Sequence, residues 1–217
     1  MQFKYDELKK RQRDERGSYP ENLALRVHRS LSWLKRAEIE DDLDSKFIFL
    51  WIAFNAAYAH EIRDRSLYSE KRVYVQFLSR LIEYDTEKHF YSIVWNELSS
   101  SIKSILDNQY IFQPFWECKN GYVTEEEWKE KFELAKRAAM KAISKMDTKK
   151  ALSIIFDRFY VLRNQLLHGG STWNSSVNRE QIKEGAKLMG MLVPIIIHVM
   201  MENHENVWGD PCYPVVE

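Results

Sequence analysis

The chain has few of the residues that terminate β-strands or cross-link small secreted domains. Its 217 residues include seven glycines, five prolines and two cysteines. All-β sandwiches and barrels need many Gly- and Pro-rich turns, so this composition argues against them. Cys118 and Cys212 stand far apart in no pair motif, which argues against a disulfide framework or a structural zinc site.

The chain also lacks an excess of charge of either sign. Lys and Arg number 32, Asp and Glu number 32, and the net charge is zero at pH 7. A nucleic-acid binder that ignores sequence is usually strongly basic, so the composition does not favour that class. The apolar share of 45% is typical of globular proteins and excludes a disordered chain.

Long apolar runs are missing as well. The two most apolar segments, 47–59 and 188–201, are each shorter than the roughly 18 residues that suggest a membrane span. Asn55 interrupts the first, and Pro194 and His198 interrupt the second. The first residues lack the apolar core of a signal peptide. We therefore expect a cytoplasmic protein with no membrane association.

The apolar residues that are present follow a helical spacing over nearly the whole chain. The pattern predicts an all-α fold, namely an up-and-down bundle of about six to seven helices. It predicts a polar segment at 1–20 and a single domain at 21–217. The predicted helices cover residues 21–38, 43–63, 70–84, 86–107, 124–145, 147–168 and 178–203. Two of them begin with the spacing of a capping box, Thr124 with Glu127 and Asn178 with Gln181.

Residues 108–123 interrupt this pattern, and Pro114 and Gly121 predict a loop there. The loop is rich in aromatic residues. Such a segment is typical of one that covers a core, and a platform for stacking nucleic-acid bases is the less favoured alternative. A second local feature is the basic stretch 131–150, which could attract phosphate, although a solvated helix face is the interpretation that we favour. Its cations are Lys131, Lys136, Arg137, Lys141, Lys145, Lys149 and Lys150.

The candidate chemistry lies in residues 159–172, which read FYVLRNQLLHGGST. At about 100° per residue, Arg163 falls near the middle of the apolar stripe of its helix. Burial of an unpaired charge is costly, so Arg163 must pair, with Glu61 or Asp157 for example, or face a cleft. Asn164 and His168, four residues apart, share another face of the helix.

These residues resemble a known signature. The segment from Arg163 to His168, R-N-x-x-x-H, is similar to the motif of the HEPN superfamily (higher eukaryotes and prokaryotes nucleotide-binding). Residues 49–58, FLWIAFNAAY, resemble the W-x-A-F-N-x-x-Y helix of bacterial HEPN-like proteins. Gly169-Gly170 follow the histidine as they often do there, and residues 211–216 resemble the end of one bacterial branch.

The resemblance implies a homodimer in which the motifs of two subunits line one cleft. It implies a metal-independent endoribonuclease that cleaves RNA by attack of a 2′-OH, in toxin–antitoxin or antiviral defence. A nucleotidyltransferase-type antitoxin is a possible partner, and no metal or cofactor is expected. Other members of the superfamily have lost catalysis, so a silent module that binds a nucleotide or a protein is the alternative. A helical interaction domain with a structural Arg163 ion pair is a third hypothesis.

The motif residues suit distinct roles in such a reaction. Histidine exchanges protons near neutral pH, which makes His168 the catalytic acid or base. The permanently charged fork of Arg163 suits the charge that develops on phosphate. Asn164 is expected to orient the phosphate or the His168 ring. Asn55, a lone polar residue in an apolar helix, either bonds a neighbouring helix or supports the Arg163–His168 site from behind.

Overall fold

The computed structural model describes residues 3–59, 70–97, 99–211 and 213. Within these residues every regular element is helical and no strand occurs, which confirms the predicted all-α class. Ten α-helices are described there. They are α1 (Tyr5–Glu15), α2 (Glu21–Glu38), α3 (Leu43–Tyr58), α4 (Glu70–Tyr84), α5 (His89–Ser92), α6 (Ser99–Leu106), α7 (Gln113–Lys119), α8 (Glu125–Ser144), α9 (Thr148–Leu167) and α10 (Arg179–Glu202).

The number of helices exceeds the predicted six to seven for three reasons. The polar N-terminal segment contains a helix, α1. The helix predicted at 86–107 is divided into α5, a π-helical turn at Ile93–Glu97 and α6. Its start moves to His89 because Lys88 has a positive φ of 58° and the Asp85 carboxylate accepts the backbone N–H of His89. The end of the helix predicted at 43–63 lies partly outside the described residues.

The third reason is that the prediction of a loop at 108–123 is wrong. A 3-10 turn at Gln109–Ile111 is capped by Asn108, whose side chain accepts the Tyr110 N–H. The helix α7 follows at once, with Pro114 in its first turn. Proline is tolerated at that position because its missing N–H would have no partner inside the helix anyway. Pro114 therefore starts a helix here and does not break one.

The contacts divide the chain into two compact units. The first comprises Met1–Phe90 and Ala186–Glu217, and the second comprises Tyr91–Gly185. The helix α10 begins in the second unit and continues in the first. Both boundaries fall inside the region predicted as a single domain.

In the first unit, α2 and α3 form a hairpin around an apolar core. The aromatic residues Trp51 and Phe54 of α3 are buried, so the motif at 49–58 contributes mainly to packing. The Arg26 guanidinium closes the end of this helix by donating to the carbonyls of Ala57 and Ala59, both at 2.9 Å. These bonds supply donors that the last turn of a helix otherwise lacks.

The described residues contain one helix, α10, that is long and apolar enough by composition to cross a membrane. The most apolar stretch of α10 is 78% buried within the protein. Buried helices at the centre of a protein core have the same length and composition, so this helix carries no argument for a membrane span. It continues through Pro194 without a break.

The second unit has a main core along α9 and a smaller aromatic core. The stripe predicted for α9 is buried, with Leu152, Ile155 and Phe156 at its centre. In the smaller core Phe115 of α7 packs with Trp128 and Phe132 of α8. Among the rings of the aromatic segment, Phe115 is buried and Phe112 and Trp116 pack half-buried against this core, whereas Tyr110 and Tyr122 are exposed. This unit carries the Arg163–His168 motif.

Candidate functional site

The site is built on the last turn of α9. The helix begins at the predicted cap, where the Asp147 carboxylate accepts the N–H of Lys150 at 2.9 Å. It ends at His168 with the two hydrogen bonds of a Schellman motif, from Gly170 N to the Gln165 carbonyl and from Gly169 N to the Leu166 carbonyl. Gly169 has a φ of +69°, which L side chains rarely adopt. The two glycines thus fix where the helix stops and leave His168 at its end.

Arg163 is half-buried, so it is less buried than the helical periodicity of the sequence predicted. Its Nη1 donates to Asn164 Oδ1 at 2.8 Å, and its guanidinium carbon lies 5.6 Å from the centroid of the Tyr160 ring. A cation over an aromatic face within about 6 Å is attracted by the ring. The amide and the ring together set the direction of the guanidinium. One residue suggested as an ion-pair partner for Arg163, Glu61, lies outside the described residues.

Asn164 connects the other two members of the motif. Its side-chain oxygen accepts from Arg163, and its backbone carbonyl accepts the His168 N–H at 3.0 Å. In the structure the Asn164 side chain contacts the arginine, and its expected role in orienting the phosphate or the His168 ring stays a prediction.

His168 is exposed, and its ring makes no hydrogen bond within the described part of the chain. The structure thus joins Arg163 to Asn164 and leaves the His168 imidazole open to solvent one helical turn away. Arg163 and Asn164 are therefore in contact, and no hydrogen bond within the described residues joins the His168 ring to either of them.

Asn55 belongs to the first unit, whereas the motif belongs to the second. Its Oδ1 is buried and accepts no hydrogen bond from the described residues. A buried amide oxygen without a partner is costly, so this atom needs a donor such as water. The supporting role of Asn55 at the Arg163–His168 site stays a prediction.

Two residues that sequence reasoning missed hold the last turn of α9 in place. Gln165 Nε2 and Trp116 Nε1 both donate to the Tyr110 carbonyl, at 2.6 and 2.7 Å. The aromatic segment is thereby tied to the turn that carries Arg163 and His168. Nothing in the sequence distinguishes Gln165 from an ordinary solvated amide, because its partner is a backbone atom 55 residues away.

A third missed residue is Arg158, five positions before Arg163 on the same helix. It is 3% exposed and lies 4.3 Å from the Phe112 ring centroid. Its guanidinium reaches the carbonyls of Leu106 and Ile111 through long hydrogen bonds of 3.4 and 3.5 Å. Burial lowers the pKa of Arg158 to about 10, so the group stays charged at neutral pH.

Three side chains of the first unit could be considered as metal ligands. Donor atoms of His89, His198 and Glu202 lie within 4.8 Å of one another, although the histidines are far apart in sequence. His198 Nδ1 is 3.1 Å from Arg11 Nη1, which can only donate. The ring must then carry its proton on Nε2, which lies 3.2 Å from Glu202 Oε1. Since that proton occupies the nitrogen that a metal would use, this cluster is better described as a hydrogen-bonded network.

The basic stretch of α8 lies in the same unit as the motif. Lys136 is engaged, at 2.7 Å from Asp107 and 3.8 Å from Glu133. The side chains of Arg137, Lys141 and Lys145 are exposed. The second unit therefore presents several cations to solvent on one helix.

Comparison with known proteins returns no match: no family model, no curated protein and no solved structure is significantly similar to the chain. The resemblance to the HEPN superfamily therefore depends on the motif residues themselves.

Proposed function

We propose that this protein is a metal-independent endoribonuclease of the HEPN type that acts as a homodimer in the cytoplasm. One observation carries the proposal: an exposed histidine ends α9 one turn after a guanidinium held by a neighbouring amide. Cleavage of RNA without metal requires a base for the 2′-OH, an acid for the leaving 5′-oxygen and positive charge at the phosphate, and histidine and arginine can supply these groups.

The proposed reaction has one chemical step. His168 of one copy removes the proton from a ribose 2′-OH, and the 2′-oxygen attacks the adjacent phosphorus. The bond between phosphorus and the 5′-oxygen breaks, and His168 of the second copy donates a proton to that leaving oxygen. The products are a 2′,3′-cyclic phosphate and a 5′-OH. Arg163 stabilises the negative charge that builds on the phosphoryl oxygens, through a planar fork that matches their geometry.

The exposure of His168 supports the requirement for two copies. One imidazole cannot act as base and acid at the same moment, and His168 is the one histidine among the described residues of the second unit. Two copies that face each other through this end would supply both rings and two guanidinium groups. The exposed cations of α8, including Arg137 and Lys141, would add affinity for the RNA backbone.

The resemblance also suggests a biological setting. We place the protein in toxin–antitoxin or antiviral defence, with RNA as substrate and a nucleotidyltransferase-type antitoxin as a possible partner. A nuclease of this kind must be restrained in the cell, because a metal-independent site needs no further component to act.

The test is cleavage of end-labelled single-stranded RNA in excess EDTA. We expect the wild type to leave 2′,3′-cyclic phosphate ends. The variant His168→Ala should cleave at least about 100-fold more slowly, since general acid–base groups contribute roughly 10²–10⁴-fold. His28→Ala is the matched control, because His28 is an exposed histidine in the other unit. It should cleave like the wild type.

Two results would contradict the proposal. A His168→Ala protein that is purified free of other nucleases and cleaves at the wild-type rate would remove His168 from the mechanism. A wild type that binds RNA or nucleotide without cleaving it would instead favour the silent binding module.

A further inference from the structure

The first unit contains a cavity of about 530 Å³ that the proposed nuclease chemistry does not use. It lies between the end of α2, the start of α3 and the part of α10 in the same unit, beside the residues that precede α1. Its floor is formed by Phe3 and Met191, which are partly exposed, over the buried Leu34, Ala37 and Leu50. Small-molecule sites are typically apolar clefts of about 300–1,000 Å³ with a few polar groups at defined places.

The charged residues of this cavity are mostly cations. Lys4, Lys46 and Lys187 line it, against one acid, Glu38. The Glu38 carboxylate already accepts the backbone N–H of Tyr5 at 2.9 Å. Lys46 donates to the Glu40 backbone carbonyl at 3.0 Å, a neutral group that leaves its charge in place. The cavity therefore has an apolar floor and a net positive lining.

Gly190 keeps one wall of the cavity open. A Cβ atom at Gly190 would approach nothing closer than Leu50 Cδ1, at 3.9 Å, so the missing side chain is not required by packing. Backbone therefore forms this wall of the cavity.

We propose that this cavity binds a small organic anion with an apolar body. The floor would take the hydrocarbon or ring portion, and the lysines would take a carboxylate, sulfonate or phosphate group. The proposal is separate from the nuclease function, because Arg163, Asn164 and His168 do not line this cavity.

The probe for the test is 1-anilinonaphthalene-8-sulfonate, an aromatic anion with one N–H donor that fluoresces in apolar surroundings. Its uncharged analogue, N-phenyl-1-naphthylamine, has the same rings without the sulfonate. We expect saturable binding of the sulfonate to the native full-length chain, at least about fivefold tighter than that of the amine, with displacement by decanoate. Equal affinity for both probes would overturn the anion site.

A matched pair of charge reversals locates the anion. Lys187→Glu should weaken binding of the sulfonate by about fivefold, because partly exposed ion pairs are each worth up to about 1 kcal/mol. Lys183→Glu makes the same charge change one helical turn earlier, at an exposed residue that does not line the cavity. It should bind the probe like the wild type. If both variants weaken binding equally, the cavity lysines are not the anion site.

A second pair tests the cavity itself. Gly190→Ala fits the available space, whereas the longer side chain of Gly190→Met would fill part of the cavity. Both residues are strong helix formers, so circular dichroism should show that both variants are folded. The Met variant should bind the sulfonate at least about tenfold more weakly than the Ala variant. Equal binding by the two would place the probe elsewhere and overturn the proposal. If the Gly190→Met variant does not fold, the comparison of Lys187→Glu with Lys183→Glu decides whether the proposal holds.

Discussion

Two arginines five residues apart on α9 have opposite surroundings. Arg158 is 3% exposed, faces two backbone carbonyls and lies against the Phe112 ring. Arg163 is half-buried, bonds to a side-chain amide and lies one turn before an exposed histidine. A guanidinium enclosed by carbonyls and rings serves the fold. A guanidinium near a helix end, one turn before an exposed histidine, has the surroundings that the proposed reaction needs.

The largest expected effect concerns the stability of the Arg158 region. Arg158→Ala should lower the free energy of unfolding by about 3 kcal/mol, because truncation of a buried side chain leaves a cavity. Arg158→Met should recover more than half of this loss, since its shape is similar and the buried charge is removed. Denaturant unfolding measures both variants, with Arg137→Ala on the exposed face of α8 as the control. If Arg158→Ala unfolds like the control, Arg158 does not hold the fold.

The next effect concerns catalysis at Arg163. Arg163→Ala should slow RNA cleavage by about 100-fold, as expected when a donor that stabilises a developing anion is lost. Arg163→Lys keeps the charge but loses the planar fork, and should slow cleavage by about tenfold. Single-turnover rates in EDTA measure both, and Arg13→Lys, at an exposed arginine of the first unit, serves as the control. Equal rates for Arg163→Lys and the wild type would mean that the fork has no role.

A smaller effect sharpens the contrast between buried and exposed histidines. Burial lowers the pKa of His198 to about 4, with further lowering by Arg11 and His89. An unfolded histidine has a pKa of roughly 6.5, so the unfolded state binds the extra proton between these values. The free energy of unfolding should therefore fall as the pH drops from about 6.5 toward 4, and His198 should account for about 2 kcal/mol of this loss. Above about pH 6.5 His198 should have no effect on the pH dependence of stability.

The measurement is denaturant unfolding at pH 7.5 and pH 5. His198→Gln should lose less stability than the wild type between these values, and His28→Gln, at an exposed site, should lose as much as the wild type. Identical losses in the wild type and in His198→Gln would show that His198 does not cause the pH dependence.

The sequence predicted the helices best where local signals are strong. Thr124 and Glu127 form the predicted capping box at the start of α8, because both bonds join residues within one turn. The capping box predicted at Asn178 and Gln181 does not form, although α10 begins at the next residue. The side-chain oxygens of both residues are buried and accept no hydrogen bond from the described residues. The residue spacing therefore predicted where α8 and α10 begin, but it predicted only one of the two capping boxes correctly.

The site was predicted less completely than the fold. Helical periodicity placed Arg163 on the buried stripe of α9, whereas Arg158 falls about 240° from Leu152, outside that stripe. The structure reverses their burial because the carbonyls of Leu106 and Ile111 and the Phe112 ring cover a second face of the helix. A prediction from helical periodicity assumes that a helix buries one face. The groups that cover the second face of α9 come from residues 46 to 52 positions away in sequence. No local pattern encodes them.

The most direct test compares His168, a residue of the proposed site, with Arg158, a residue that supports the fold. The cleavage rate of RNA in EDTA should be measured for His168→Ala and Arg158→Met, at a temperature at which circular dichroism shows both to be folded. We predict that Arg158→Met cleaves like the wild type, while His168→Ala unfolds like the wild type and cleaves at least about 100-fold more slowly. Wild-type cleavage by His168→Ala, or loss of cleavage by folded Arg158→Met, would contradict this prediction.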